Sequence, residues 1–298
     1  MTPVIEILPG EPDRLGESPI WDDVARCLYW VDIIAPRIQR FVPSTGKRDA
    51  WPMPSPVGSI GLTMRADHLV AALKDGFYDI DLTTGAVVLL AKPEPGDPAA
   101  RFNDGKVDRQ GRFVSGTLVA HDAPQRGHLF RLNRDASIDR LDSGAQISNA
   151  LSFSLDGRTM YYACSLQRAI WAYDYDPATG ASTNKRVFLD TSTLKSAPDG
   201  ACIDADDCLW VALVEIGRVA RITPAGAIDR VIEVPAEFPT CPAFGGPDLA
   251  TLYVTSIGDS GTGRMVGKRP ESGAVMAITG LGARGVPEPR FVRDASAN

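Results

Sequence analysis

The chain has 298 residues, of which 44% are hydrophobic and 23% are charged, and its formal net charge is −6. This composition provides ample apolar material for a core and excludes a low-complexity disordered protein. A net negative charge gives no general attraction to nucleic acid or anionic lipid, and no apolar run approaches the roughly 18 residues of a membrane span. We therefore expect neither nucleic acid nor a membrane among its partners.

The first ten residues lack the basic stretch followed by an apolar one that is typical of a secretory signal peptide. The five cysteines are scattered, and they form no CxxC motif and no Cys/His pattern. An odd number of dispersed cysteines indicates reduced thiols. These features together predict a cytoplasmic protein.

A repeated pattern organises the chain. In four copies a polar residue, at Glu17, Asn103, Asn149 or Asp199, is followed four positions later by an apolar one, then by a polar turn and an apolar strand. Two weaker copies are placed by counting back from their later strands, which gives Ser59 and Thr240 as the equivalent positions. The six positions are separated by about 41 to 50 residues, close to the roughly 40–45 residues of repeats that build propeller blades.

Each repeat supplies four strands and cannot bury both of its faces alone, whereas six units closed into a ring bury every inner face. The sequence therefore predicts an all-β, six-bladed β-propeller that forms one domain over residues 1–298. Residues 4–8 alternate like a strand and are expected to complete the last blade beside residues 274–278. A pair of β-sandwiches would not explain the repeated polar position, and an open solenoid would need capping units. Because a closed ring needs no edge pairing, we expect a monomer.

The innermost strand of each propeller blade lines the central channel, so the repeated polar positions are expected to form a ring. Two members, Glu17 and Asp199, are carboxylates, which repel unless a positive group lies between them. A divalent cation bound by Glu17, Asn149 and Asp199 would remove the repulsion, and oxygen ligands suit hard ions such as calcium, magnesium or manganese. The alternative is that these side chains bond only to strand backbone or channel water.

Several segments, taken together and in order, are similar to the SMP-30/gluconolactonase/regucalcin family. They are Leu15-Gly-Glu17-Ser-Pro-Ile-Trp21, Arg101-Phe-Asn-Asp-Gly-Lys-Val-Asp108, Ile147-Ser-Asn149, Pro198-Asp-Gly200, Leu209-Trp-Val-Ala212 and Phe244-Gly-Gly-Pro-Asp248. The similarity extends over essentially the whole chain.

This resemblance implies a six-bladed propeller with one divalent metal ion (calcium, zinc, manganese or magnesium) in its channel. It also implies a lactonase, which hydrolyses a sugar lactone such as gluconolactone or a pentonolactone to the aldonic acid. The family's metal ligands match Glu17, Asn149 and Asp199, and Asp199 also matches the general base. Arg101 and Asn103 match residues that hold the substrate.

The sequence departs from regucalcin-like members at three places. His121, in Gly116-Thr-Leu-Val-Ala-His121, stands where those relatives carry an acidic residue that contacts the sugar. We therefore treat His121 as a candidate substrate-binding residue and expect a different lactone preference. Cys164 and Glu215 also differ from the usual pattern, and none of the three changes removes a predicted metal ligand.

Two alternative functions also fit the sequence. One is a calcium-binding regulatory propeller without turnover, and the other is a metal-dependent hydrolase of non-sugar lactones or esters. A bare scaffold for protein partners would not explain the polar ring or Arg101.

Overall fold

A computed structural model describes residues 3–93, 96–119 and 126–294. These residues form six antiparallel sheets of four strands each, together with three short 3-10 turns. The all-β prediction and the six blades are therefore confirmed. No helix in the described ranges is long and apolar enough to cross a membrane.

The first three blades follow one another along the chain. Their strands are β2 (Gly16–Asp22), β3 (Cys27–Asp32), β4 (Arg37–Val42), β5 (Lys47–Pro52), β6 (Val57–Leu62), β7 (His68–Leu73), β8 (Phe77–Asp81), β9 (Val87–Ala91), β10 (Ala100–Val107), β11 (Phe113–Val119), β12 (His128–Leu132) and β13 (Ile138–Ser143).

The last three blades repeat this order, except that the final blade takes its outermost strand from the beginning of the chain. Their strands are β14 (Ser148–Phe153), β15 (Thr159–Cys164), β16 (Ala169–Tyr175), β17 (Ser182–Asp190), β18 (Pro198–Ile203), β19 (Leu209–Leu213), β20 (Arg218–Ile222), β21 (Ile228–Glu233), β22 (Pro239–Gly245), β23 (Thr251–Ser256), β24 (Met276–Thr279) and β1 (Val4–Ile7).

The first strand of each blade contacts the first strands of both neighbouring blades, from β2 through β6, β10, β14, β18 and β22 back to β2. This circular order is that of a closed propeller. The second strands of the blades are buried on both faces. Segments such as β3 and β19 are therefore almost continuous apolar runs. The outermost strands, such as β13 and β21, are largely exposed and polar.

The ring is closed by pairing between the two ends of the chain. Strand β1 lies antiparallel to β24, with Val4 opposite Thr279 and Ile7 opposite Met276. The prediction that residues 4–8 complete the last blade is thus confirmed. This pairing supplies the outermost strand of the last blade from the beginning of the chain, so the two ends of the chain are joined within one blade.

Beyond β24 the chain crosses the end of the channel at which the inner strands finish. The amide of Phe291 donates to the Leu62 carbonyl at 2.7 Å, and that of Val292 donates to the Gly111 carbonyl at 3.0 Å. The Phe291 ring is buried between the second and third blades. The C-terminal segment therefore closes this end of the channel.

An ion pair fixes the same segment above the channel. Lys106 Nζ lies 3.4 Å from Glu288 Oε1, and both side chains are mostly buried. Burial lowers the pKa of Lys106, but the Glu288 carboxylate more than offsets this and holds that pKa above its usual range. Arg290 adds a contact at the surface, since its guanidinium lies 2.6 Å from an Asp22 carboxylate oxygen.

The first prediction concerns this segment. Phe291→Ala should lower the free energy of unfolding by about 3 kcal/mol, because it removes a buried ring and leaves a cavity. Urea denaturation measures the effect. Val266→Ala, at an exposed apolar residue, is the control and should change the value by less than about 0.5 kcal/mol. A loss as small as the control's would show that the C-terminal segment contributes little to the fold.

Candidate metal centre and active site

A β-bulge interrupts the inner strand of every blade near its start. In the first blade, for example, Ser18 and Pro19 lie between the paired residues Glu17 and Ile20, where only Trp30 stands on the partner strand. A bulge breaks the regular alternation of side chains and bends the strand. Backbone at these bulges is unusual, since Ser18 has a φ of 49° although it is not a glycine.

The bulges bring four of the repeated polar residues to the same level of the channel. They are Glu17, Asn103, Asn149 and Asp199, and all four are buried. The other two predicted members of the ring, Ser59 and Thr240, have hydroxyls that are used in other contacts, so only part of the predicted ring forms.

In the second blade the inner strand ends at Leu62, and the equivalent position four residues earlier is Gly58. The assignment of Ser59 is therefore wrong by one residue. A Cβ at Gly58 would lie 2.5 Å from the Phe102 carbonyl group, so this position has no room for a side chain. Ser59 instead places its hydroxyl 3.0 Å from that of Ser115 in the third blade.

Thr240 also serves contacts between blades. Its hydroxyl donates to the Gly16 carbonyl at 2.6 Å, and it lies 2.8 Å from the Thr255 hydroxyl. For Thr240 the alternative interpretation, a polar side chain bonded to inner-strand backbone, is the correct one.

The orientation of the Asn149 amide follows from its neighbours. The Ser165 hydroxyl donates its proton to the Pro198 carbonyl at 2.8 Å, so it accepts from Asn149 Nδ2 at 2.7 Å. The Asn149 Oδ1 atom is consequently directed to the other side, where it accepts from Asn103 Nδ2 at 3.1 Å. Oδ1 retains a second lone pair for a further partner.

Arg101 and Asn103 form one hydrogen-bonded unit. Arg101 Nη1 donates to Asn103 Oδ1 at 2.7 Å and to the Phe102 carbonyl at 2.9 Å. Asn103 Nδ2 also donates to the Ser148 carbonyl at 2.9 Å. Neither of the two Arg101 bonds uses its Nη2 or Nε group. Burial lowers the pKa of Arg101 to about 10, so its guanidinium stays charged at neutral pH.

Glu17 and Asp199 lie next to each other, and their carboxyl groups interact electrostatically. Burial, followed by repulsion from Asp104, raises the pKa of Glu17 to about 8. Burial, followed by repulsion from Glu17, raises the pKa of Asp199 well above its usual value. Two neighbouring buried carboxylates resist being ionised together.

The residues present fit a divalent cation. Two neighbouring buried carboxylates form a place where a cation would be attracted, and Asn149 Oδ1 is connected to them through Asn103 and Arg101. No group of three or more His, Cys, Asp and Glu side chains is arranged for metal binding in the described parts of the chain. The binding of a metal ion by Glu17, Asn149 and Asp199 stays a prediction.

Asp104 is a further buried carboxylate, and it lies outside the repeated polar positions. It accepts from the Leu151 amide and from the Gly105 amide, both at 2.8 Å. Burial raises its pKa to about 6. The only signal in the sequence was its position directly after Asn103.

The three divergent positions differ in their surroundings. His121 lies outside the described residues, so its role stays a prediction. Cys164 is fully buried in β15, and all five cysteines are buried free thiols. Glu215 accepts from the Ala197 amide at 2.8 Å and forms a 2.7 Å ion pair with Arg168, which explains it as a structural residue.

The second prediction concerns the pH dependence of the metal-free protein. Native Glu17, with a pKa of about 8, keeps a proton that the unfolded chain releases above about pH 4.5, so this group destabilises the fold as the pH rises between the two values. Glu17→Gln does not titrate there. Between about pH 5 and pH 8.5, in chelator, it should gain on the order of 3 kcal/mol relative to wild type.

Urea denaturation at both pH values measures this difference. The exposed residue Glu11 supplies the control, and Glu11→Gln should follow the wild-type dependence. Parallel profiles for wild type and Glu17→Gln would contradict the raised pKa of Glu17.

Comparisons with known proteins show which family the chain resembles over most of its length. The family model described as "SMP-30/Gluconolactonase/LRE-like region" matches residues 15–258. Regucalcin of Xenopus laevis is 37% identical over 96% of this chain and 98% of its own length, and human regucalcin is 35% identical over 95% and 96%.

A solved structure described as a calcium-binding protein, regucalcin, from Agrobacterium tumefaciens superimposes with a TM-score of 0.88 at 26% identity, covering 96% of both chains. The family match, the relatives and the common propeller extend over nearly the whole chain. The protein therefore belongs to the SMP-30/gluconolactonase/LRE-like family.

Proposed function

We propose that the protein is a metal-dependent sugar lactonase, which hydrolyses a lactone such as gluconolactone or a pentonolactone to the aldonic acid. The observation that carries this proposal is the pair of neighbouring buried carboxylates, Glu17 and Asp199, beside the charged Arg101. The family to which the chain belongs includes gluconolactonases by name, which supports the same reaction class.

Glu17, Asn149 and Asp199 would hold one divalent ion, with calcium, zinc, manganese and magnesium as the candidates. When bound, such an ion polarises the lactone carbonyl and makes a nearby water more acidic. The two carboxylates balance its charge, and the amide oxygen of Asn149 is already oriented by Ser165.

Asp199 is the proposed general base. It takes a proton from water as the water oxygen bonds to the lactone carbonyl carbon. The ring C–O bond then breaks, and Asp199 returns the proton to the departing alkoxide oxygen. Chemically, a general base of this kind contributes about 10²–10⁴ in rate.

Arg101 and Asn103 are proposed to orient the sugar. The Arg101 side chain is fixed through Nη1, so its remaining N–H groups present donors in a defined direction. Asn103 Oδ1 accepts from Arg101 and retains one lone pair for a sugar hydroxyl. A sugar held in this way reacts faster because its carbonyl is positioned before attack.

A calcium-binding propeller without turnover is the second candidate, and the regucalcin relatives favour it, one being described as a calcium-binding protein. A hydrolase of non-sugar lactones or esters is the third. A lactone panel assayed with and without chelator separates all three. Chelator-sensitive hydrolysis of sugar lactones supports the proposal, whereas metal binding without hydrolysis of any lactone would contradict it.

The third prediction tests the base. Asp199→Asn should lose at least about a hundredfold in kcat on sugar lactones, because it keeps an oxygen ligand but cannot accept the proton. Acid release in a pH-stat measures turnover, and the rise in Tm on adding metal checks that the variant still binds it. Near-normal turnover by the metal-loaded variant would exclude this role.

The fourth prediction concerns specificity. His121→Glu should change the ratio of kcat/KM between lactones, since an imidazole can donate a hydrogen bond where a carboxylate only accepts. The panel should include lactones with altered or anionic terminal groups. His128→Gln, at another histidine, is the control. An unchanged order of substrates would show that His121 does not contact the sugar.

A further inference from the structure

In two blades the side chain that follows the ring position accepts a hydrogen bond from an amide of the next blade. In the first blade, Ser18 Oγ accepts from the Ile60 amide of the second at 3.0 Å. In the third blade, Asp104 Oδ2 accepts from the Leu151 amide of the fourth at 2.8 Å. The two contacts occupy equivalent places, because Ile60 and Leu151 each lie two residues after the ring position of their blade.

Elsewhere in the ring this position carries no charge. The residues are Ser18, Ser59, Ala150, Gly200 and Cys241. Where the receiving residue is a proline, as at Pro19 and Pro242, it has no amide hydrogen and no acceptor is needed. Asp104 is therefore the only carboxylate among the six equivalent positions, and the other five carry uncharged residues.

Hydrogen bonding alone does not account for a carboxylate here. A serine hydroxyl is sufficient for the equivalent amide in the first blade, and a buried charge is costly where a neutral acceptor would serve. Asp104 is 5% exposed and makes no salt bridge among the described residues. Lys106 is the nearest cation that acts on it, and Lys106 is already paired with Glu288.

Charge in the channel gives a reason for it. Glu17, Asp104 and Asp199 interact electrostatically, and Arg101 is the cation that faces the first and last of them. With all three carboxylates ionised the group has a net charge of −2, which one divalent ion neutralises. With a neutral residue at position 104 the net charge would be −1.

Asp104 also touches the backbone that presents a predicted ligand. It accepts a hydrogen bond from the amide of Leu151, which lies in the bulge that starts at Asn149. The second oxygen of Asp104 accepts from the Gly105 amide, so the carboxylate is held in one orientation between the third and fourth blades.

We propose that Asp104 is a positioning residue of the metal centre, which attracts the divalent cation through its charge and fixes the Asn149 bulge through its hydrogen bond. This inference rests on the proposed function, since it assumes the cation at Glu17, Asn149 and Asp199.

Two substitutions separate charge from hydrogen bonding. Asp104→Ser copies the first blade, and its hydroxyl can still accept from Leu151, whereas Asp104→Asn keeps the size of the side chain. Both should weaken binding of Ca²⁺ and of Mn²⁺ about tenfold or more, because a negative charge near the ion is lost. Isothermal titration of chelator-treated protein measures the Kd of each ion.

Ser18→Ala is the matched control, because it removes the equivalent contact between blades without changing any charge. It should lower the Tm and leave the metal Kd within about threefold. Asp104→Glu should retain more of the affinity than Asp104→Ser, since it keeps the charge. Circular dichroism verifies that each variant is folded, and Asp104→Asn supplies the test if Asp104→Ser does not fold.

The outcomes distinguish the two proposals. A wild-type protein that binds neither ion overturns the proposed metal centre, whatever the variants do. If the wild-type protein binds the ions and Asp104→Ser and Asp104→Asn bind them as tightly as wild type does, only the role of Asp104 is overturned. Weaker binding in both charge-removing variants, with Ser18→Ala unaffected, supports it.

Discussion

Repulsion between the Glu17 and Asp199 carboxylates is the unfavourable interaction that the propeller has to offset. Each is buried in the channel, and burial raises the pKa of both. Leaving such groups unpaired in a protein interior costs several kcal/mol. A scaffold with a large core can bear this, and here the two side chains come from the first and fifth blades, so ring closure itself brings them together.

Two separate sets of contacts close the propeller. Strand β1 pairs with β24 and joins the ends of the chain at the edge of one blade. The C-terminal segment then joins blades across the channel end, through Phe291 and the Lys106–Glu288 pair. Since this end is covered, the proposed substrate would reach Arg101 and Asn103 from the opposite end, at which the inner strands begin. The contacts of the C-terminal segment and the proposed site thus lie toward different ends of the channel.

The repeat in the sequence was sufficient for the blades and for the pairing of the first strand with the last blade, and it selected the neighbouring carboxylates Glu17 and Asp199. It failed where the spacing between the first two strands of a blade varies. Leu62 stands seven positions before its partner Leu69 in the second blade, whereas Val107 stands six before Phe113 in the third, so counting back from the second strand led to Ser59 instead of Gly58. Thr240 satisfies backbone in the first blade, a contact that links residues more than two hundred positions apart and has no local signal.

Asp104 was missed for a related reason. In a regular strand, Asn103 and Asp104 would point to opposite faces, and only one of them could serve the channel. The bulge between Phe102 and Gly105 removes this alternation, so both side chains take part in the same cluster. The alternation of side chains predicts a regular strand well. It does not predict a bulge, where two consecutive side chains can join the same cluster.

The charge of Asp104 also bears on how a lactonase releases its product. A lactone is neutral, whereas the aldonic acid formed from it is an anion at neutral pH. With a divalent ion, Arg101 and only two carboxylates, the cavity would have a net charge of +1 and would hold that anion more tightly than the substrate. With Asp104 the net charge is zero, so this attraction is weaker. In the proposed lactonase, the carboxylate that would draw a cation into the channel would therefore also limit product retention, because it is buried beside the other two.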